Sequence, residues 1–171
     1  MLFRSADIAA LSYANSFKWK TSEGEDRYRR GMYTYFKRTA PYPGLTNFDC
    51  PDSNTTCVQR RTSNTPLQAL TALNNEVFSE AARYFARWLL DQEGAGDREL
   101  ASLAFRKTVA RAPTVDEIVR ITQLLNRSLD WYRLHPDEAK RLGGKTGTPE
   151  EAAWTSVARV LLNLDEFLTR E

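Results

Sequence analysis

Residues 48–66, "FDCPDSNTTCVQRRTSNTP", concentrate the side chains of this sequence that could do chemistry. Asp49 and Asp52 have the residue type that paired acid and base catalysis requires. Arginine and amide side chains follow, which suits an anionic or polyhydroxylated ligand. The candidate ligand-binding residues are Asp49, Asp52, Arg60, Arg61, Asn64, Gln68 and Asn74. Turn formation is the favoured alternative, because Asp, Asn and Ser side chains bond to their own backbone.

Cys50 and Cys57 lie in the same stretch, seven positions apart. In an oxidising compartment they could close a small disulfide loop, worth about 2.5 kcal/mol, whereas in the cytosol two free thiols are expected. The spacing does not match a C-x-x-C redox motif. With His135 as the single histidine, the sequence predicts no metal site.

The segment "DRYRRGMYTYFKR", residues 26–38, mixes basic and aromatic residues and invites a nucleic-acid interpretation. We predict instead a helix with an apolar face and a solvated basic face. The apolar face would comprise Tyr28, Met32, Tyr35 and Phe36, and the solvated face Arg27, Arg30, Lys37 and Arg38. The whole chain carries 24 basic and 22 acidic side chains, a balance too even for general attraction to nucleic acid.

The motif Ser/Thr-x-x-Glu/Gln, which caps helix N-termini, occurs four times before apolar periodic runs. The pairs are Ser22 with Glu25, Thr65 with Gln68, Thr114 with Glu117, and Thr148 with Glu151. The first is predicted to open a helix that runs to about Arg38. Apolar residues at three- and four-residue spacing follow the other three motifs. These stripes are Leu67, Leu70, Leu73, Val77, Ala81, Phe85 and Leu89; Ile118, Ile121, Leu125, Leu129 and Tyr132; and Trp154, Val157, Leu161, Leu164 and Leu168.

A shorter helix is predicted for 98–109, and no alternation of period two is found. The fold class is therefore all-α, an irregular bundle of about five to six helices with one long irregular, proline-containing segment at 40–64. We predict a single domain over 1–171, with a division into 1–93 and 97–171 as the alternative. No apolar run is long enough to cross a membrane, and no signal peptide is recognised.

Four blocks of the sequence resemble a known family. They are "SFKWKTSEGEDRYRRGMYTYFKRTAPYPGLTNFDCPD", "CVQRRTSNTPLQALTALNNEVFSEAA", "VARAPTVDEI" and "AAWTSVARVLLNLDEFLTR". The chain is similar over nearly its whole length to the C-terminal domain of unknown function of large exported planctomycete proteins. Members of that family often carry a cytochrome-c-type haem module as well.

This resemblance implies a periplasmic or cell-envelope setting, a disulfide between Cys50 and Cys57, and a longer parent polypeptide. Any haem would lie in a separate module, because this chain has no C-x-x-C-H, and no cofactor is expected in the chain itself. The resemblance also implies an association with polysaccharide uptake or degradation, because such proteins occur together with proteins of that kind.

Three functions remain open. The favoured one is a non-catalytic module that binds other domains of the parent polypeptide or a glycan. The first alternative is part of a carbohydrate-acting hydrolase that uses Asp49 or Asp52 as acid or base, although the chain alone is not expected to be an enzyme. The second alternative is nucleic-acid binding, which the charge balance disfavours, through basic residues of the 26–38 segment. These are Arg27, Arg29, Arg30, Lys37 and Arg38.

Overall fold

The computed structural model describes residues 22, 24–33, 36, 41–51, 54–59, 63–144 and 147–169. Over these residues the protein has eight α-helices and no strand, which confirms the all-α class. The number of helices exceeds the predicted five to six. The helices are α1 (Pro43–Asn47), α2 (Pro66–Asn74), α3 (Glu76–Leu90), α4 (Asp97–Val109), α5 (Val115–Leu134), α6 (Pro136–Gly143), α7 (Pro149–Leu161) and α8 (Asp165–Leu168).

The chain divides into two compact units, Met1–Thr71 and Ala72–Glu171, which we call unit 1 and unit 2. The boundary falls inside α2. Each unit is described separately below. No helix in the described ranges is both long and apolar enough to cross a membrane.

The described part of unit 1 contains two short 3-10 helices, Gly24–Tyr28 and Gly31–Tyr33, where one continuous helix to Arg38 was predicted. Arg29 and Arg30 lie between them outside any helix. Gly31 lies within the predicted helix, and glycine is a poor helix former, less favourable than alanine by about 1 kcal/mol. It also lies close to Leu45, since a Cβ atom there would lie 3.1 Å from Leu45 Cδ2. The predicted apolar face is wrong at Tyr28 and Met32, which are exposed, while Phe36 is half-buried.

The described residues of the predicted irregular segment 40–64, which are 41–51, 54–59, 63 and 64, are irregular except for the five-residue helix α1. α1 is connected to α2 by a hydrogen bond in which Asn47 Nδ2 donates at 3.3 Å to Oγ1 of Thr71, in the second half of α2. α2 opens with the predicted capping box at Thr65 and Gln68. The predicted stripe of α2 does not form its buried face, since Leu67 and Leu70 are exposed while Gln68 and Ala72 are buried.

Unit 2 is organised around α7, which packs against α3, α5 and α6. Small residues on α7, Ala152, Ala153 and Ala158, are fully buried, and Trp154 fills the space between the helices. Such a close-packed apolar interior is the main source of stability in a domain of this size. The core cluster comprises Ala86, Leu89, Leu100, Ala101, Ala104, Phe105, Ile121, Leu125, Ala153, Trp154, Val157 and Leu161.

The helix ends of unit 2 follow the sequence signals closely. Asn75 caps α3 by accepting a hydrogen bond from the Val77 N–H at 2.8 Å, so a new helix begins directly after α2 ends at Asn74. Thr114 and Glu117 form the predicted capping box of α5. α4 ends at Ala110, a non-glycine residue in the left-handed region with φ of 62°.

Candidate functional site

The carboxylate of Asp49 lies directly after α1, in the stretch where the sequence predicted a ligand site. It accepts a hydrogen bond from the Ser63 N–H at 2.8 Å. The Ser63 hydroxyl lies 2.9 and 2.8 Å from its two oxygens. Asp49 itself is in the left-handed region with φ of 57°, which Asp tolerates better than most residues. Through these hydrogen bonds the Asp49 side chain is connected to Ser63, fourteen positions further along the chain.

Gln68 completes this arrangement, with only 2% of its surface exposed. Its Oε1 accepts from the Thr65 N–H at 2.9 Å, which is one half of the capping box. Its Nε2 donates to Asp49 Oδ2 at 3.3 Å and to Ser63 Oγ at 3.1 Å. One buried carboxamide thus starts α2 and fixes Asp49 together with Ser63. We refer to Asp49, Ser63 and Gln68 as the Asp49 cluster.

The Asp49 cluster joins the two ends of the segment between α1 and α2. Residues 54–59, which lie between these ends, are exposed, and Val58 has 99% of its surface exposed. Conformational freedom makes an unsupported loop costly to order, and a buried polar network at its base reduces that cost. The hydrogen bonds of the Asp49 cluster therefore connect the two ends of a segment whose described middle, residues 54–59, lies on the surface.

The remaining predicted site residues are distributed differently. Asp52, Arg60 and Arg61 lie outside the described residues. Asn64 and Asn74 are exposed, and the hydrogen bonds of the Asp49 cluster between described residues do not include them. The structure therefore brings together Asp49 and Gln68 of the predicted set. Ser63 is the partner that sequence reasoning missed, since a hydroxyl fourteen residues from its acceptor leaves no local signal.

Both cysteines are free thiols in the structure. Cys50 is half-buried, and its N–H donates to the Leu45 carbonyl at 3.0 Å. Cys57 is exposed, with its Sγ 3.2 Å from the carbonyl oxygen of Gln59. The disulfide between them stays a prediction.

The basic and aromatic segment 26–38 forms local contacts where it is described. Arg29 Nε lies 2.7 Å from Asp26 Oδ1, and the Arg30 guanidinium lies 5.9 Å from the centroid of the Tyr33 ring. The side chain of Arg27 and the whole of Lys37 and Arg38 fall outside the described part of the chain. The described residues do not form the helix that was predicted to present a basic face.

In unit 2, an ion pair that the sequence did not reveal joins α3 to α7. Arg87 Nε lies 2.5 Å from Glu151 Oε1, and the Glu151 side chain is only 2% exposed. Glu151 occupies the predicted capping-box position, and its N–H donates to Thr148 Oγ1 at 3.2 Å. Its other carboxylate oxygen accepts from the Gly147 N–H at 3.2 Å. Near this pair, Arg83 Nε donates to the Leu142 carbonyl at 3.0 Å, at the C-terminal end of α6.

A second charged group links the starts of α5 and α8. The Arg111 guanidinium donates to Glu117 at 2.6 and 3.0 Å and to Glu166 at 2.7 Å through each of two nitrogens. These bonds, with the Thr114 N–H as a further donor, lower the pKa of Glu117 from 4.5 to about 2. The same guanidinium lowers the pKa of Glu166, and the two carboxylates raise the pKa of Arg111. These shifts stabilise the charged forms, which suits a structural bridge between helices.

His135, the single histidine of the sequence, lies between α5 and α6. Its Nδ1 lies 2.8 Å from the Trp131 carbonyl, and its ring stacks on the Trp131 ring at 3.8 Å between centroids. Within the described ranges, no group of three or more His, Cys, Asp and Glu residues could hold a metal ion. The polar clusters of both units therefore consist mainly of contacts that fix helix ends and loops.

No curated protein and no solved structure matches this chain. A family model does, and it extends over more than half of the chain. The model of the PSD1 family, described as a protein of unknown function (DUF1553), matches residues 5–125, and the chain belongs to this family.

Proposed function

We propose that this chain is a non-catalytic helical binding module that presents the segment between α1 and α2 to another protein domain. The observation that carries the proposal is the Asp49 cluster, whose hydrogen bonds close the base of an exposed loop. Loops held on a rigid base are common binding elements, because the base restricts their conformations before a partner arrives.

The same hydrogen bonds count against catalysis by Asp49. A general acid or base must offer a proton or a lone pair to the substrate. The Asp49 carboxylate instead accepts hydrogen bonds from Ser63 and from the buried Gln68 side chain. A hydrolase that uses Asp49 would have to break the contacts that hold its own loop, so Asp49 is better assigned to positioning the loop.

The chemistry of the exposed residues favours a protein partner. Residues 54–59 are Asn, Thr, Thr, Cys, Val and Gln, with no charge and no aromatic ring. This described stretch offers no charge to the phosphates of nucleic acid and no flat ring on which a sugar could stack. The basic residues Arg60 and Arg61 follow it in the sequence. Val58 is fully exposed and can be buried by a complementary apolar pocket, as interface anchors are. Glycan binding is therefore the second candidate.

The resemblance noted in the sequence suggests which domain this partner is. We propose a neighbouring domain of a longer exported polypeptide, in the periplasm or the cell envelope. In that setting, oxidation of Cys50 and Cys57 would add a covalent closure to the same loop that the Asp49 cluster closes by hydrogen bonds. Thiol titration of protein isolated from its own compartment tests this point, and two free thiols there would contradict it.

Binding to the partner can be measured by titrating the purified chain with the remaining domains of its parent polypeptide in a calorimeter. Replacement of the exposed anchor, Val58→Asp, should weaken the interaction by about tenfold or more, because it places a charge in an apolar contact. Val115→Asp is the matched control, since Val115 is also exposed but lies at the start of α5.

Equal losses in the two variants, or no binding by the unaltered chain, would refute the proposal. Turnover of a glycan by the isolated chain would replace it with the hydrolase hypothesis. Binding of glycans that Val58→Asp abolishes, without binding of any parent domain, would support the glycan alternative instead.

A further inference from the structure

A groove between α4 and α5 carries two arginines that form no ion pair with the described residues of unit 2. It has a volume of about 670 Å³ and is lined by Gly96, Arg98, Glu99, Ser102, Arg106 and Ile118. This volume lies within the range of about 300–1,000 Å³ that is usual for small-molecule sites. We call it the α4–α5 groove.

The polar residues of the groove follow one line along α4. Arg98, Ser102 and Arg106 are spaced by four residues, so they lie on the same face, with Ser102 one helical turn from each arginine. The rise between the two arginines is about 12 Å, which two long side chains can span by reaching towards each other. Both guanidinium groups can therefore approach an anion held over Ser102.

These three side chains make no hydrogen bond or ion pair with other residues in the described ranges. Other arginines of unit 2 do: Arg87 pairs with Glu151, and Arg111 pairs with Glu117 and Glu166. Ser102 is half-buried, and its hydroxyl is nonetheless available in the groove. A guanidinium presents a planar fork of donors that matches the oxygens of a carboxylate, sulfate or phosphate.

The lining of the groove also includes one acidic side chain, Glu99, and one apolar side chain, Ile118. The Glu99 carboxylate accepts from the Gly96 N–H at 3.2 Å, so it is bound to the start of its own helix, where the helix dipole offsets its charge. Two positive charges, on Arg98 and Arg106, face one negative charge on Glu99, so the net charge of the lining is positive. Ile118, half-buried on α5, forms an apolar wall opposite the arginines.

We propose that the α4–α5 groove binds a small organic molecule that carries an oxyanion, with Arg98 and Arg106 holding the anion over the Ser102 hydroxyl and Ile118 contacting its apolar part. This site lies in unit 2, and the loop proposed for partner binding lies in unit 1. The two proposals can therefore fail independently.

The test is a titration of the full chain, followed by the backbone amide resonances of residues 98–106. The probes are benzoate, phenyl phosphate, inorganic sulfate and inorganic phosphate. At least one organic anion should give saturable shifts at these amides that weaken with salt. Comparison of benzoate with phenyl phosphate identifies whether the anion is a carboxylate or a phosphate.

The double variant Arg98→Gln with Arg106→Gln should weaken binding by about tenfold or more, because each charged hydrogen bond contributes strongly. Arg98→Lys with Arg106→Lys keeps the charge but loses the fork, so an intermediate loss is expected. The matched control is Arg120→Gln with Arg127→Gln, which removes two exposed arginines of α5 that do not line the groove. Circular dichroism establishes that each variant is folded.

Three results would overturn the proposal. The first is an absence of saturable shifts with every probe. The second is an equal loss of binding in the control variant, which would indicate general charge attraction. The third is equal affinity for inorganic and organic anions, which would show that Ile118 makes no contribution.

Discussion

Units 1 and 2 use opposite means to hold their segments together. Among the described residues of unit 1, the buried side chain is that of Gln68, a polar residue that hydrogen-bonds to Asp49 and Ser63. Unit 2 instead buries a large tryptophan, Trp154, against alanines and leucines from four helices. Hydrogen bonds depend on exact partners, whereas apolar burial depends on volume. Substitutions should therefore act locally in unit 1 and globally in unit 2.

The largest effect is expected from Trp154→Ala. Trp154 is 2% exposed in the core of unit 2, and removal of a buried aromatic ring costs about 3–5 kcal/mol in the free energy of unfolding. Urea unfolding followed by circular dichroism measures the change. The control is Trp131→Ala on α5, where the ring is more than half exposed, and a similar loss there would contradict the assignment of the core.

Two adjacent glutamates at the start of α7 should respond very differently. Glu151→Gln leaves the half-buried Arg87 without its charged partner and should cost about 2–3 kcal/mol in the free energy of unfolding. Glu150 is half exposed, 3.6 Å from Arg133, and Glu150→Gln should cost less than about 1 kcal/mol. If thermal unfolding showed equal losses of stability in the two variants, burial would not distinguish the Arg87–Glu151 pair from the Arg133–Glu150 pair.

In unit 1, Asp49→Asn keeps the shape of the side chain but removes its charge. The hydrogen bonds from Ser63 and Gln68 should weaken, with an expected loss of about 1–2 kcal/mol. Hydrogen exchange should show faster exchange at the Ser63 amide, with no change at the amide of Leu161 in the core of unit 2. Faster exchange at both amides would mean that the two units unfold together.

The smallest effect concerns pH and the Arg111 bridge. The pKa of Glu117 is lowered to about 2 in the folded state, so its contribution to stability is present above its ordinary value of 4.5 and is lost as the pH falls towards 2. Glu117→Gln should therefore lower the melting temperature slightly at pH 6 and make no difference near pH 2. A difference in melting temperature between the variant and the unaltered chain that grows as the pH falls would contradict this direction of the pH dependence.

The sequence predicted unit 2 better than unit 1 for a physical reason. Capping boxes and apolar stripes are local patterns, and they located the starts of α5 and α7. In the described residues of segment 26–38 the helical pattern failed, and this pattern gave no weight to Gly31, a poor helix former in the middle of the predicted helix. The candidate site was located in part, because Asp49 and Gln68 were named while their link through Ser63 was not.

The left-handed residue at the end of α4 offers a route to a more stable protein. Ala110 adopts φ of 62°, and its N–H bonds to the Arg106 carbonyl at 3.1 Å. A Cβ atom is unfavourable in this conformation, by about 1–2 kcal/mol, and glycine avoids the clash but loses more entropy on folding. Ala110→Gly is therefore an engineering target whose net gain is about 0.5–1 kcal/mol.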